Sequence, residues 1–375
     1  MRPLRLVDAD AHVVEPPDLW SKWLPPEFRN HPDTPKLVKD EEGGDAWQFG
    51  AGAPPAPLGI YTAAGKAAED IKWTGARYDS VRPGMFQGQH RIADMDADGV
   101  DVEVLFGSAR PMGLFLRSKE REFHLAGFQA FNNFVCRDFA AADRQRLVAL
   151  AYIPGLGVEA AVAELRRAHA EGARGAALMC WPSAGDKCSP ADDPFWAACQ
   201  ELDMPVIVHV RLISVNSPAP PPTGKQGGDL PGLSTTGLLD MPSVIAQMIF
   251  GGVFERFPRL RAGFIEAGAG WVPYLLQQMD DRYWRNRYWT KCDLSLLPSE
   301  YFRRNCKVSF MYDPYAVQNR AACGVETLMW SSDYPHHGTD WPHSRKVIGE
   351  TFADVSTEDR HRILAQNCAD LFRLG

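Results

Sequence analysis

Apolar runs typical of strands alternate with helical patterns along most of this chain, and that alternation limits the folds it can adopt. The predicted strands after the amino-terminal region are Val100–Phe106, Leu147–Ile153, Gly175–Met179, Pro205–Val210, Ala262–Glu266, Val308–Met311 and Leu328–Ser331. A further strand begins near Leu6. Together they make about eight strand-then-helix units without an internal break, which predicts an α/β fold of the closed (β/α)₈ barrel type.

The whole chain, residues 1–375, is predicted to form one such domain. A doubly wound open sheet is the alternative, but no G-x-G-x-x-G motif follows any predicted strand. Residues 30–88 are rich in proline and glycine, and we interpret them as an irregular insertion that covers one barrel end. Within the insertion, Lys36–Lys39 and Ala46–Phe49 predict a small hairpin. Helices at His343–Thr351 and Thr357–Phe372 are predicted to complete the fold.

Composition and charge exclude several classes of partner. The formal net charge is −7, so nucleic acid is not an expected partner. The chain has no apolar run long enough to span a bilayer, and its amino terminus lacks the apolar core of a signal peptide. The cysteines are scattered and form no C-x-x-C pair. We therefore expect a cytoplasmic protein with reduced thiols that acts on a small molecule.

Polar residues occupy alternate positions of the first predicted strand. Asp8, Asp10 and His12 alternate with mainly apolar neighbours, and alternate side chains of a strand point to the same face. Burying such groups without partners is costly. A divalent metal would make the arrangement tolerable, since carboxylate and imidazole are common metal ligands. The alternative is that Asp8 or Asp10 caps the start of a helix or loop.

Other candidate ligands stand at the ends of later strands. His209 ends the fifth strand, Glu266 ends the sixth, and Asp333 follows the last. A single histidine at a strand end is more often a hydrogen-bonded core residue, but active-site residues of these barrels converge at the carboxyl ends of the strands. Asp10, His12, His209 and Asp333 would give one ion two imidazoles and two carboxylates, a set that suits zinc, manganese or iron.

A series of motifs extends over nearly the whole chain. In order they are Asp8-Ala-Asp10-Ala-His12-Val-Val-Glu15-Pro, Arg91-Ile-Ala-Asp94-Met-Asp96-Ala-Asp-Gly99-Val-Asp101, Phe131-Asn132-Asn133-Phe134, Val206-Ile-Val-His209, Gly252-Val-Phe254-Glu255-Arg256-Phe-Pro258, Glu266-Ala-Gly268-Ala-Gly270-Trp271-Val-Pro273 and Trp330-Ser-Ser-Asp333-Tyr-Pro335-His336. The series resembles the amidohydrolase-related family, the amidohydrolase 2 branch that includes aminocarboxymuconate-semialdehyde decarboxylase. The resemblance implies a distorted (β/α)₈ barrel that binds a divalent metal. The best-known members are nonoxidative decarboxylases and hydrolases.

The resemblance assigns roles to individual positions. The first ligand pair of the family corresponds to Asp10 and His12, its strand-five histidine to His209, and its last-strand aspartate to Asp333. The bridging carbamylated lysine of the wider superfamily has no counterpart, because the fourth strand ends in Met179-Cys180-Trp181. A carbamate-bridged pair of metals is therefore not expected.

The sixth strand departs from the decarboxylase pattern. Those enzymes carry a catalytic histidine at the position occupied here by Ala267, and Glu266 is the nearest functional group. Three roles are open for Glu266. It acts as a general base, it binds a second metal together with His336 or His337 and with Glu15, or it forms a salt bridge at the mouth of the barrel. We assign His337 to the metal ligands and His336 to substrate binding.

A long loop, residues 211–237, follows the strand-five histidine and is expected to shape the substrate pocket. Its first residue, Arg211, is a candidate carboxylate clamp, with a surface role equally open.

The function expected from these residues is that of a metal-dependent hydrolase or lyase. A small, carboxylated substrate would be hydrolysed by metal-activated water or decarboxylated without oxidation, with Glu266 or Asp333 moving the proton. The cofactor is one zinc ion in this interpretation. The first alternative is an oxygenase with two iron or manganese ions, and the second is a catalytically silent partner subunit. The chain is expected to assemble with itself or with a related subunit.

Overall fold

The computed structural model describes residues 6–215, 230–235 and 237–375 of the chain. Most of the loop expected to shape the substrate pocket after the fifth strand therefore lies outside the described residues. No helix in the described part of the chain combines the length and apolarity needed to cross a bilayer.

Parallel strands form a closed ring at the centre of the molecule. Within the described residues the strands are β1 (Val7–Val13), β2 (Val102–Gly107), β3 (Leu147–Ala149, continued by Ala151–Tyr152), β4 (Ala176–Leu178), β5 (Val206–His209), β6 (Ala262–Ile265), β7 (Cys306–Phe310) and β8 (Leu328–Trp330). The ring closes where Ala11 of β1 forms a parallel bridge with Tyr334, just beyond β8. The amide of Asp333 also donates to the carbonyl of Asp10 at 2.9 Å. The predicted α/β barrel is confirmed.

Most residues of these strands are apolar because both faces of the ring are buried. Helices cover its outer face, and side chains fill its interior. In β1 every residue is buried, including Asp8, Asp10 and His12. Its pairing with β2 shifts register between Asp8 and Ala11. Such an irregularity bends a strand and redirects its side chains. The register shift therefore lies directly beside the predicted ligands.

Helices connect the strands and surround the ring. The α-helices of the described residues are Leu19–Trp23, Gly88–Asp98, Ala109–Arg117, Arg121–Phe134, Val158–Ala170, Asp193–Glu201, Leu230–Ser234, Met241–Phe250, Val253–Arg256, Val272–Thr290, Pro298–Asn305, Pro314–Gln318, Arg320–Cys323, Ser344–Thr351, Thr357–His361 and Asn367–Phe372. Two π-helical segments, Val135–Phe139 and Arg362–Gln366, directly continue the helices Arg121–Phe134 and Thr357–His361. Gly99 ends its helix in the left-handed region, where glycine carries no Cβ penalty.

The predicted hairpin is present in the insertion. Lys36–Lys39 pairs antiparallel with Asp45–Gln48, and Ala56–Pro57 adds a third short strand. The register places Leu37 opposite Trp47. The indole of Trp47 is buried, and its nitrogen donates to the hydroxyl of Tyr78 at 2.9 Å. The Tyr78 hydroxyl donates in turn to the carbonyl of Glu15, just after β1, so the second strand of the hairpin is connected to the barrel.

Candidate metal centre

Six of the predicted site residues meet at the carboxyl ends of the strands, namely Asp10, His12, His209, Glu266, Asp333 and His336. The Nε2 atom of His12 lies 3.3 Å from Oδ1 of Asp10 and 3.3 Å from Oδ1 of Asp333. The Nε2 atom of His209 lies 3.3 Å from Oδ1 of Asp10 and 3.3 Å from Oε2 of Glu266. Side chains from β1 and from the ends of β5, β6 and β8 therefore converge on one small volume.

Buried carboxylate oxygens at this centre lie near histidine nitrogens but lack hydrogen-bond partners. Both side-chain oxygens of Asp10 are buried, and neither has a hydrogen-bond partner among the described residues. Leaving buried carboxylate oxygens unsatisfied costs free energy. The donor set of carboxylate oxygens and imidazole nitrogens within a few ångströms of one another is the set that divalent metals use. The residues present therefore fit a divalent cation.

The electrostatics of the centre lead to the same conclusion. Burial would raise the pKa of Asp10, but the His209 and His12 imidazoles outweigh it and hold that pKa below its usual range. Burial raises the pKa of Asp333 to about 7, and burial together with Asp333 raises the pKa of Glu266 well above its usual range. Three carboxyl groups this close cannot all be ionised without a compensating cation.

The histidines are also perturbed, in opposite directions. Burial, reinforced by His336, lowers the pKa of His12 to about 4. Burial would lower the pKa of His209 too, but the Asp10 carboxylate outweighs it and raises the value to about 9. Only a neutral imidazole can offer its nitrogen lone pair to a metal, and the carboxylates that favour a proton on His209 would equally favour a metal cation in its place.

The backbone at three of these strand ends adopts the left-handed region. Val210, Glu266 and Asp333 have φ values of 60°, 55° and 55°. For non-glycine residues this conformation costs about 1–3 kcal/mol and is concentrated at functional sites. Specific contacts hold it in place, since the amide of Glu266 donates to Oγ of Ser309 at 3.0 Å. The strained residues are therefore two candidate site residues, Glu266 and Asp333, and the neighbour of a third, His209.

The histidine pair after β8 is arranged differently from the sequence expectation. His336, assigned to substrate binding, stacks on His12 with ring centroids 3.9 Å apart, and its Nδ1 lies 2.8 Å from Oδ1 of Asp333. His337, assigned to the metal, is exposed and is not part of either potential ligand group in the described residues. The structure therefore does not bring His337 to the cluster, and places His336 there instead. The amide of His336 donates to the Asp333 carbonyl, and this turn directs the first histidine inward.

Arg211, the candidate carboxylate clamp, and Glu15, a candidate ligand of a second metal, lie in different surroundings. Arg211 is exposed on the strand-five loop, and its side chain does not line the pocket next to the centre. Glu15 does line that pocket, and its side chain is buried. It is not at the start of a helix, because the next helix begins at Leu19.

Two buried residues behind the centre have a supporting role that the sequence did not predict. Asp8 is fully buried, and its Oδ1 accepts from the amide of Ser332 at 2.9 Å. Arg91 is buried beneath β1, and its guanidinium donates to the carbonyl of His12. Asp8 and Arg91 thus fix the strand that carries Asp10 and His12. The sequence indicates their importance only through their positions in the first two motifs, where polar residues interrupt apolar ones.

The pocket next to the centre contains a cation that the sequence analysis did not single out. Arg110 lies in the helix after β2 and lines the pocket with Glu15, Tyr61 and His336. Apolar and aromatic side chains from the insertion form the opposite wall, including Trp47. The insertion therefore contributes to the mouth of the candidate site.

The sequence matches the family described as Amidohydrolase over residues 7–374. The chain therefore belongs to the amidohydrolase family, and the resemblance inferred from the motifs is confirmed. Among curated relatives, gamma-resorcylate decarboxylase of Rhizobium radiobacter is 23% identical over 319 residues, which cover 76% of this chain and 89% of that protein. The 2-amino-3-carboxymuconate-6-semialdehyde decarboxylase of Dictyostelium discoideum is 24% identical over 296 residues, covering 76% of each protein.

Solved structures share the fold along the full chain. An amidohydrolase from Mycobacterium avium subsp. paratuberculosis K-10 has a TM-score of 0.71 at 19% identity, covering 100% of both chains. The 5-carboxyvanillate decarboxylase of Novosphingobium aromaticivorans has a TM-score of 0.67 at 15% identity, covering 100% of this chain and 97% of that one. It was solved with manganese and 4-hydroxy-3-methoxy-5-nitrobenzoic acid.

Proposed function

We propose that this protein is a metal-dependent nonoxidative decarboxylase of a small, planar, carboxylated substrate. The observation that carries the proposal is the convergence of Asp10, His12 and His209 in a buried cluster where the Asp10 oxygens have no hydrogen-bond partner among the described residues. Cleavage of a carboxyl group is favoured over hydrolysis because both curated relatives described above are decarboxylases.

The ligands of the proposed metal are Asp10, His12, His209 and Asp333. Manganese is the ion we propose, since two carboxylates and two imidazoles are a donor set that suits it and the Novosphingobium relative was solved with it. When bound, the ion would orient the substrate carboxylate and stabilise the negative charge that develops in the reaction. In this proposal Asp333 remains a ligand, since its Oδ1 is in contact with His12 and His336.

Glu266 moves the proton in this proposal. When the bond to the carboxyl carbon breaks, carbon dioxide leaves and the electron pair stays on the substrate carbon. A proton must then reach that carbon to give the neutral product. The Glu266 side chain is about one-fifth exposed and lies 3.3 Å from His209, so it adjoins both the ligand cluster and the open mouth. Its carboxyl group gives the proton to the carbon and regains one from solvent.

The proposal is tested by measuring carbon dioxide release. The manganese-loaded protein is incubated with 2,6-dihydroxybenzoate, 5-carboxyvanillate and related carboxylated phenols, and bicarbonate is quantified together with the decarboxylated product. Metal-dependent release of the two in equal amounts is expected from at least one substrate. Turnover that yields a hydrolysed product without carbon dioxide, or no turnover by protein with full metal occupancy, would overturn the proposal.

Substituting Glu266→Gln is expected to separate metal binding from turnover. Glutamine keeps the size of the side chain but has no acidic proton to give, and loss of a general acid costs about 10²–10⁴-fold in rate. We expect the variant to retain its metal, measured by elemental analysis, and to lose turnover by at least about 100-fold. Glu201→Gln, a change at an exposed residue paired with Arg166, is the matched control. Loss of all metal in the Glu266 variant would instead make Glu266 a primary ligand.

A dinuclear centre is the second candidate. Two potential ligand groups share His12, one with Asp10, His209 and Glu266 and the other with Asp333 and His336. That overlap is the observation that favours a second ion, and with it the oxygenase alternative. Elemental analysis of protein purified without added metal separates the cases. About one ion per chain supports the decarboxylase, and about two iron or manganese ions support the dinuclear enzyme. Absence of both metal and turnover supports the silent subunit.

A further inference from the structure

The turn after β8, residues 333–336, is in direct contact with the insertion. The carbonyl of Pro335 accepts from the amides of Ala63 and Ala64, at 3.0 and 3.1 Å. A backbone carbonyl is a strong acceptor with two lone pairs, so both bonds can form at once. Residues of the insertion therefore hold the turn that carries Asp333, a proposed ligand of the metal.

A buried aspartate binds the same turn from another side. The hydroxyl of Tyr334 donates to Oδ2 of Asp94 at 2.6 Å, and both residues are almost fully buried. Asp94 belongs to the helix Gly88–Asp98. Its carboxylate is closely packed, because a Cβ added at Gly84 would lie 2.1 Å from Oδ2. The acceptor for the tyrosine hydroxyl is thus confined to one place.

An arginine from the end of the insertion pairs with this aspartate. The Nε atom of Arg82 donates to Oδ1 of Asp94 at 3.0 Å, and its Nη2 forms an ion pair with the same oxygen. The guanidinium also lies over the indole of Trp341, with its central carbon 4.4 Å from the ring centroid. That indole donates to the backbone carbonyl of Asp94 at 2.9 Å. Asp94 therefore binds the insertion through one carboxylate oxygen and Tyr334 through the other.

Tyr334 is in turn joined to the first ligand-bearing strand. Its carbonyl accepts from the amide of His12 at 2.5 Å, and the amide of its neighbour Asp333 donates to the carbonyl of Asp10 at 2.9 Å. A displacement of Tyr334 would therefore disturb the backbone on both sides of the ligand cluster. Residues that orient metal ligands in this way typically contribute about 10- to 100-fold to metal affinity or activity.

We propose that the insertion is a positioning element of the metal centre and that Asp94 is the residue through which it acts. Asp94 connects Arg82 to Tyr334 and thereby fixes the turn that places Asp333 and His336. This inference rests on the metal site of the proposed function but not on the reaction. The insertion thus does more than cover one end of the barrel, since metal affinity depends on it.

Manganese affinity, measured by competition with a chromophoric chelator, tests this inference without requiring turnover. Tyr334→Phe removes one hydroxyl and keeps the ring, and we expect it to weaken manganese binding by about 10- to 100-fold. Tyr283→Phe is the matched control. Tyr283 is also buried, its hydroxyl donates to the carbonyl of Leu294 at 2.9 Å, and neither residue belongs to the ligand cluster. Both variants lose one buried hydrogen bond, so the metal-free proteins should melt lower by a similar amount, about 1–2 °C.

The contribution of the insertion is tested at Arg82. Arg82→Met removes the ion pair with Asp94 and leaves the hydroxyl of Tyr334 in place, so we expect manganese affinity to fall by about 10-fold. Arg82→Lys keeps a positive charge and should recover part of that loss. Arg77→Met is the matched control, since Arg77 is in the same insertion and forms an exposed pair with Asp79. Its manganese affinity should equal that of the wild-type protein.

The outcomes separate a positioning role from a purely structural one. Wild-type manganese affinity in Tyr334→Phe, with only a lower melting temperature, would show that the tyrosine supports the fold alone and would overturn the inference. Unchanged affinity in Arg82→Met would remove the insertion from the metal centre and overturn it as well. A protein whose manganese affinity depends on both residues but which releases no carbon dioxide refutes the proposed function and retains the inference. Carbon dioxide release with an affinity that neither substitution alters does the reverse.

Discussion

Substitution of Asp10 by asparagine is expected to remove the bound divalent metal and, with it, the activity. Asp10 is fully buried, and one of its oxygens lies 3.3 Å from a nitrogen of His12 and from a nitrogen of His209. Asparagine keeps the shape but supplies no negative charge to a cation. We expect metal affinity to fall by more than about 100-fold, beyond the effect of losing a residue that only supports a ligand. Turnover should fall by about 1,000-fold, because a metal supplies several kcal/mol of charge stabilisation.

Metal content after dialysis, measured by elemental analysis, checks this expectation alongside the rate of carbon dioxide release. Asp96→Asn is the matched control, since Asp96 is exposed on a helix and pairs with Arg146. Thermal melts of the metal-free proteins establish that both variants fold. An Asp10 variant that folds and still binds one equivalent of metal with wild-type affinity would show that the carboxylates of Asp333 and Glu266 are sufficient to hold the ion.

The barrel could be predicted from sequence because the residue patterns that specify its strands and helices are local. Each apolar run and each helical pattern specifies one element, and a helix joining parallel strands leaves few alternative topologies. The predicted run Pro205–Val210 contains the observed strand β5, and the predicted run Leu147–Ile153 contains both pieces of β3. The π-helical segment Val135–Phe139 was not predicted, because it differs from an α-helix by hydrogen bonding rather than by residue type.

The site was only partly predictable, for a reason that the histidine pair illustrates. A residue at a strand end must be near the barrel mouth, so the positions of His209 and Asp333 follow from the fold alone. Which of His336 and His337 turns inward depends on a few backbone angles after β8, which residue type does not specify. Arg110 was missed because its partners, Tyr61 and Trp73, come from the insertion, whose packing on the barrel is non-local.

Substitution of Arg91 by methionine is expected to destabilise the fold by about 3–5 kcal/mol. Arg91 is fully buried, and its Nη1 donates to Oε2 of Glu103 at 2.7 Å. Its Nε also donates to the carbonyl of Gly84 at 2.7 Å. Methionine fills much of the space but leaves the Glu103 carboxyl buried without its partner. The cost is a large share of the stability of a typical domain, about 5–15 kcal/mol.

Urea denaturation of the metal-free proteins measures this loss as a lower midpoint with an unchanged slope. Lys22→Met is the control, because Lys22 and Asp138 form an exposed ion pair, and such pairs contribute about 0–1 kcal/mol. The double variant Arg91→Met with Glu103→Leu should recover most of the lost stability, since an apolar replacement of both charges removes the unpaired carboxyl. If Arg91→Met alone cost no more than Lys22→Met, the ion pair beneath β1 would not be what secures the strand that carries Asp10 and His12.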